Sequence, residues 1–282
     1  MKLIIALCIE SFYFILKPYR IFFLHYNLIK IPNHISFLIN LVAKQFKIMF
    51  KFIQRIITVL FFIFVYHVSF SQELPPINIF TTEDYGAENQ NWAISQSDNG
   101  FMYVANNLGL LEFNGASWQL YETPNNTIIR SVKAYKDKIF TGFYMDFGFW
   151  KKNKYGALEY SSVVKDKDIK MLEDEQIWKI IEMEGWFLFK SLQRIYLYNL
   201  ETKEIKIVNG ENRIQALTKA KDIIYFQEEN KGIFKIENGT PKLISDASVF
   251  KENIIVDFFE KENVLLVLTQ KKGFYLLNDG KV

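Results

Sequence analysis

From about residue 77 onward the chain repeats a pattern of four short apolar strands roughly every forty residues. The first copy is the clearest. Residues 92–96 lead through Ser97-Asp98-Asn99-Gly100 into 101–105, then through Asn106-Asn107-Leu108-Gly109 into 110–113, and through Asn114-Gly115 into 117–121. The Asn-Gly dipeptides predict hairpin turns, because both central residues of a type I′ turn need positive φ. The order returns over 128–163, 177–208, 214–244 and 254–282, while the first copy occupies 77–121. Equivalent glycines at Gly109, Gly148, Gly232 and Gly273 are 39, 84 and 41 residues apart, and the middle step is two units of 42 with Arg194 at the skipped place.

A four-stranded unit of this length has two apolar faces that only its neighbours can cover, which is the requirement of a β-propeller blade. Runs such as Ile223-Ile224-Tyr225-Phe226 and Val264-Leu265-Leu266-Val267-Leu268 are apolar without alternation, as strands covered on both faces must be. The predicted fold is therefore all-β, a β-propeller with five blades present in an incomplete ring, preceded by a hydrophobic helical leader. A β-sandwich or β-helix is the alternative, since a period alone does not fix closure. A ring closed at five blades would need residues 77–80 as the outer strand of the fifth.

The leader is read from Met49. Lys51 and Arg55 make a basic start, residues 56–65 are apolar except for Thr58, and Ser69 and Ser71 put small residues at −3 and −1 before Gln72. This is the pattern of a secretory signal peptide over 49–71, with a mature domain over 72–282. Residues 1–48 read as a non-native extension from an upstream start, or as a pair of poor membrane segments. The expected location is exported: the periplasm or the periplasmic face of the inner membrane.

Composition then removes most chemistry from the repeats. The single Cys8 and all three histidines, His25, His34 and His67, precede residue 73. Thiol nucleophiles, disulfides, histidine bases, Ser-His-Asp triads and nearly all zinc sites are thus excluded beyond that point. No phosphate-cradling glycine motif and no complete calcium loop occurs, so neither cofactor nor metal is implied. Charge divides at the same boundary: residues 1–72 hold eight Lys/Arg against Glu10 alone, leaving 26 of the 34 Lys/Arg and 30 of the 31 Asp/Glu for the rest. A body with net charge −4 gives no case for contact with nucleic acid.

The stretch Phe101-Met102-Tyr103-Val104-Ala105-Asn106-Asn107-Leu108-Gly109-Leu110-Leu111-Glu112-Phe113-Asn114-Gly115 resembles the repeat of the two-component regulator propeller family. The match is strongest in the first copy and weakest in the third, where no glycine precedes Ile195. That resemblance implies the sensor end of an exported bacterial regulator, the N-terminal piece of a longer transmembrane receptor with a LuxR-type or histidine-kinase output. It also implies a membrane association confined to the leader or to later domains.

In propellers, the loops joining second to third strands and those entering each new blade share one face. The candidate ligand-binding residues there are Glu88, Asn91, Asn106, Asn107, Tyr144, Asp146 and Arg194, a mixture of amides, aromatics and charges suited to a carbohydrate or a peptide. Among Tyr144, Phe147, Phe149 and Trp150, core stacking explains the last two. The charged stretch 165–175 reads as a solvated connector. A non-catalytic sensor is the leading expectation. A lyase or glycosidase using Asp146, Glu88 or Tyr144, or a plain interaction scaffold, is the alternative.

Overall fold

The computed structural model describes residues 33–68, 75–262 and 264–278 and divides into two units, Met1–Ile77 and Asn78–Val282. The first unit holds one helix, Asn33–Val68, of 36 residues. It runs through Met49 without a break, so no change of structure marks the expected start of the leader. Lys44, Lys47, Lys51 and Arg55 interrupt it, and no helix among the described residues is long and apolar enough to cross a membrane. The proposed cleavage residues Ser69–Ser71 and residues 1–32 lie outside the described residues, as does 279–282 in the last repeat.

The second unit is built from consecutive antiparallel meanders. The first sheet is β1 (Asn91–Gln96), β2 (Met102–Asn106), β3 (Leu110–Phe113) and β4 (Trp118–Tyr121). The second is β5 (Ile129–Tyr135), β6 (Lys138–Phe143), β7 (Asp146–Lys152) and β8 (Leu158–Ser162). The third is β9 (Lys179–Met183), β10 (Trp186–Lys190), β11 (Arg194–Asn199) and β12 (Ile205–Asn209), and the fourth β13 (Ile214–Ala220), β14 (Ile223–Glu228), β15 (Gly232–Glu237) and β16 (Thr240–Ser245). The fifth has, among the described residues, three strands: β17 (Ile255–Lys261), β18 (Val264–Thr269) and β19 (Gly273–Leu277).

The first strand of each sheet neighbours the first strand of the next, from β1 through β5, β9 and β13 to β17. Side chains tie these inner strands together. Ser95 Oγ accepts from the Ala134 amide at 2.9 Å, and Ser131 Oγ donates to the Ile177 carbonyl at 3.0 Å. The result is a propeller-like all-β fold. Residues 77–80 form no strand, and Phe80 packs instead on Phe113 and Trp118 of the first sheet, so they do not supply an outer strand to the fifth.

Four core clusters lie at the four junctions between successive sheets. Tyr103, Ile129, Phe143 and Trp150 fill the first; Phe140, Phe147, Phe187, Phe189 and Tyr196 the second. Leu188, Ile195, Ile214 and Phe226 fill the third, and Tyr225, Phe250, Phe258 and Val267 the fourth. Alternate residues of one strand serve opposite junctions: on β10, Phe187 and Phe189 face the second sheet while Leu188 faces the fourth. This two-sided burial is why the middle strands carry no polar alternation. The terminal sheets keep an open apolar flank, with Ile94 on the first and Val256, Phe274 and Leu276 on the fifth exposed.

The recurring glycines have a physical cause. A Cβ on Gly109, Gly148 or Gly232 would fall about 2.1–2.2 Å from the carbonyl oxygen of Tyr121, Ser161 or Ser245, so the fourth strand can close on the third only there. Gly273 meets nothing, because among the described residues no fourth strand packs on β19.

The turns differ in part from expectation. Asn238-Gly239 has positive φ at both residues, 53° and 81°, as a type I′ hairpin requires. At Asn99-Gly100 and Asn114-Gly115 only the glycine does. There the asparagine side chain closes the turn instead: Asn114 Oδ1 accepts from the amides of Ala116 and Ser117, both at 2.9 Å.

Candidate functional site

The loops between second and third strands and the segments leading into each new sheet do meet on one face. Tyr144, after β6, accepts through its carbonyl from Asn125 Nδ2 at 3.2 Å. The Gln193 carbonyl takes the Gly210 amide at 2.7 Å, the Arg213 carbonyl takes Glu229 at 2.9 Å, and Ile254 takes Gln270 at 2.8 Å. Each pair joins a lead-in segment to a neighbouring hairpin end.

Several expected ligand residues are occupied in holding this face together. Asn106 is fully buried; its amide nitrogen donates to the Glu88 carbonyl at 2.6 Å and to Asn91 Oδ1 at 2.8 Å, and its oxygen accepts from Leu108. Glu88 is exposed, and only its backbone takes part in that lock. Asp146 opens β7 and is 7% exposed, with Ser162 Oγ donating to it at 2.6 Å; burial raises its carboxyl above the ordinary range. Arg194 donates to the Lys170 carbonyl at 3.0 Å and to Tyr196 Oη at 3.3 Å. Tyr144 remains half-open and donates its hydroxyl to Asp174 at 2.7 Å, a bond to a carboxylate that raises the phenol above its usual value. Asn107 accepts from Trp92 Nε1 at 2.8 Å.

The connector 165–175 is less solvated than its charge suggests. Glu175 is buried because Tyr196 Oη at 2.6 Å and the Leu172 amide at 2.9 Å supply donors to Glu175 Oε2.

The most open chemistry on this face comes from residues that the repeat pattern treats as ordinary strand starts. The inner strands begin with register shifts between Asn91 and Ala93, Ile129 and Ser131, Ile214 and Leu217, and Ile255 and Asp257. Such bulges re-aim the extra residue. In the first two sheets that residue is Trp92 and Arg130, and Trp178 precedes β9 at the equivalent place.

These three side chains converge. The Arg130 guanidinium lies 3.9 Å from the Trp92 ring centre and 4.8 Å from that of Trp178, and the two indoles meet edge to face at 6.1 Å. Arg130 Nε donates to Gln176 Oε1 at 3.0 Å, while its Nη1 is buried with no partner among the described residues. Burial lowers the guanidinium below its ordinary value. Trp92 and Trp178 stay 40% and 37% exposed. Trp178 lines a cavity of about 260 Å³ with Leu172, Gln176, Ser191, Gln193 and Arg213. Trp92 lines a second hollow of about 430 Å³ beside Phe80, Ile94 and Trp118. Aligning the repeats on the buried Ile129, Ile177, Ile214 and Ile255 exposes the signal, because the following residues are Arg130, Trp178, Gln215 and Val256.

Among the described residues, no group of three His, Cys, Asp or Glu side chains is placed to hold a metal ion. The site offers two aromatic platforms, the guanidinium packed against them, and amides. That combination can stack a flat or pyranose ring and accept an oxygen-rich substituent.

No family model matches the chain, and no curated protein matches it in sequence. Solved structures do. The computationally designed Ika8 protein superposes with a TM-score of 0.51 at 12% identity, over 68% of this chain and 59% of that one. The extracellular domain of the putative one component system from B. thetaiotaomicron gives 0.49 at 16%, over 66% of this chain and 26% of that chain, so the match spans about a quarter of it. Apo AztD from Citrobacter koseri gives 0.46 at 11%, over 66% and 56%. At 12% identity the likeness to Ika8 is one of fold alone.

Proposed function

We propose that this chain is an exported, non-catalytic ligand-sensing propeller, the N-terminal part of a transmembrane signalling or transcriptional regulator, and that it binds its ligand at the Trp92–Arg130–Trp178 cluster. The carrying observation is the pair of half-exposed indoles packed about one guanidinium at the start of the inner strands. The leader-like sequence, the family resemblance and the lack of His and Cys beyond residue 72 support the same reading. The open flanks of the first and fifth sheets support further sheets completing the ring. A lyase or glycosidase draws less support, since Asp146 is buried under Ser162 and Tyr144 is engaged by Asp174.

The test is to titrate the full chain with oligosaccharides and peptides, followed by intrinsic tryptophan fluorescence and by product analysis. Saturable binding without turnover is expected, weakened roughly tenfold or more by Trp178→Ala or Trp92→Ala, in line with the loss of one stacking platform. Turnover of any probe, or binding indifferent to both substitutions, refutes the reading.

A further inference from the structure

We propose that the cavity beside Trp178 receives a free α-amino acid, its ammonium group held by Glu173, Asp174 and Glu175 and its carboxylate by Arg213. The inference rests on the reading of this face as the binding surface and names the class of ligand taken there.

The cavity, of about 260 Å³, is walled by separate segments that meet only in the fold. The connector brings Leu172 and the three acids, the hairpin end between β10 and β11 brings Leu192, and the lead-in to β13 brings Arg213. Backbone bonds hold each of them. The Met145 amide donates to the Glu175 carbonyl at 2.8 Å, the Ile214 amide to the Leu192 carbonyl at 2.7 Å, and the Glu229 amide to the Arg213 carbonyl at 2.9 Å. Walls fixed in advance keep the ordering cost of binding low. Ligand pockets commonly start near ~300 Å³, so a hollow of this size suits a ligand of few atoms.

Glu175 makes the clearest demand on an occupant. It is 6% exposed, and its Oε2 accepts from the Tyr196 hydroxyl and the Leu172 amide, while Oε1 is buried with no partner among the described residues. A buried carboxylate oxygen without a donor is costly, and an N–H donor in the cavity would complete it. Glu173 has no hydrogen bond or ion pair among the described residues, and Asp174 takes only the Tyr144 hydroxyl. Three carboxylates against one guanidinium favour a cationic group. Arg213 is also without a hydrogen bond or ion pair among the described residues, so the cavity keeps a carboxylate and a guanidinium that do not pair with each other. An amine alone would leave Arg213 unmet, and an anion alone would meet the acidic surplus. A zwitterion with both groups on one carbon answers both walls. Leu172, Leu192 and Trp178 add apolar lining for its side chain, and Trp178 joins the cavity to the aromatic cluster by carrying Arg130 at 4.8 Å.

The experiment titrates the full chain with glycine and with L-leucine as separate probes, ionic strength being held constant with chloride. Tryptophan fluorescence and the melting temperature are the readouts. Saturable binding and a rise in melting temperature are expected with at least one of them. Its N-acetyl derivative, which lacks the ammonium, and its amide, which lacks the carboxylate, should each bind roughly tenfold or more weakly, the loss expected for a charged hydrogen bond. Glu175→Gln should weaken binding to a similar extent. The exposed Glu173→Gln and Arg213→Gln should each weaken it severalfold, which keeps the test valid should the buried substitution disturb folding. No saturable response to either amino acid, a derivative that binds as tightly as its parent, or a binding constant unchanged in both exposed variants overturns the proposal. Oligosaccharide binding that depends on Trp92 and Trp178 but not on Glu173 or Arg213 also overturns it, while leaving the ligand-binding role of the face intact.

Discussion

Replacing Lys190 with methionine should make the free protein more stable, and the gain should disappear at high pH. The ammonium titrates near 8 in the fold against an ordinary 10.5. At about 1.4 kcal/mol per pKa unit, holding the charge at pH 7 costs the folded state on the order of 3 kcal/mol. The direction follows from proton counts. Between about 8 and 10.5 the unfolded chain binds the proton that the folded chain has released, so wild-type stability rises with pH across that window. Below 8 the penalty is complete, and above 10.5 it is gone. Methionine keeps an unbranched chain of similar length against Leu188 and Ile195 without the charge. Lys190→Met should therefore gain about 2–3 kcal/mol at pH 7, raising the melting temperature by about 5–10 °C for a domain of this size. Urea unfolding of wild type and variant at pH 7, 9 and 11, compared pairwise, cancels every other titration. A variant no more stable than wild type at pH 7, or a gain that persists unchanged at pH 11, would show that the lysine is not the strained charge its surroundings imply.

Gly148→Ala, which forces a methyl group toward the Ser161 carbonyl, should cost about 2–3 kcal/mol in chemical denaturation, whereas Ala at an exposed turn elsewhere should cost far less. Gln227 donates to the Phe250 and Asn253 carbonyls and accepts from the Ile255 amide, all at 2.7 Å, and so fixes the short helix Ser248–Glu252 to the fourth and fifth sheets. Gln227→Leu should lose about 3–5 kcal/mol, and amide exchange at Ile255 should accelerate first. Tyr196→Phe removes a donor from the buried Glu175 and should destabilise by about 1–3 kcal/mol, read as a lowered urea midpoint.

The repeat made the strand order readable because period-2 runs, turn residues and recurring glycines all agree. Every strand from β1 to β19 falls within a residue or two of the segment expected for it. The glycines were visible as a period, and their cause, contact with a fourth-strand carbonyl, needed the coordinates. Function was less legible. Asn106 and Asp146 have the polarity of ligand residues, but their partners Glu88, Asn91 and Ser162 come from neighbouring turns and strands, and only packing shows that these groups are spent on one another. Trp92, Arg130 and Trp178 were hidden for the opposite reason. Each occupies a place where an inward residue is expected; a one-residue bulge re-aims Trp92 and Arg130, and Trp178 stands at the equivalent place just before β9.

The distribution of paired and unpaired cations sets this face apart from the junctions between sheets. Where sheets meet elsewhere, the chain supplies partners. Lys152 reaches Glu112 of the first sheet at 3.1 Å, Lys221 reaches Glu260 of the fifth at 2.7 Å, and Lys231 reaches Glu211 at 2.8 Å. A carboxylate beside a junction lysine is thus an arrangement this sequence uses repeatedly. At Lys190 the neighbours are Lys179 and Arg213 instead, and at Arg130 they are two indoles and an amide. A single acidic residue in place of Lys179 would relieve much of the penalty at Lys190 by direct cross-strand pairing. A Lys179→Glu variant should therefore be more stable than wild type at pH 7, read as a raised urea midpoint. A Lys179→Glu variant no more stable than wild type at pH 7 would show that a carboxylate across the ladder does not reach the Lys190 ammonium.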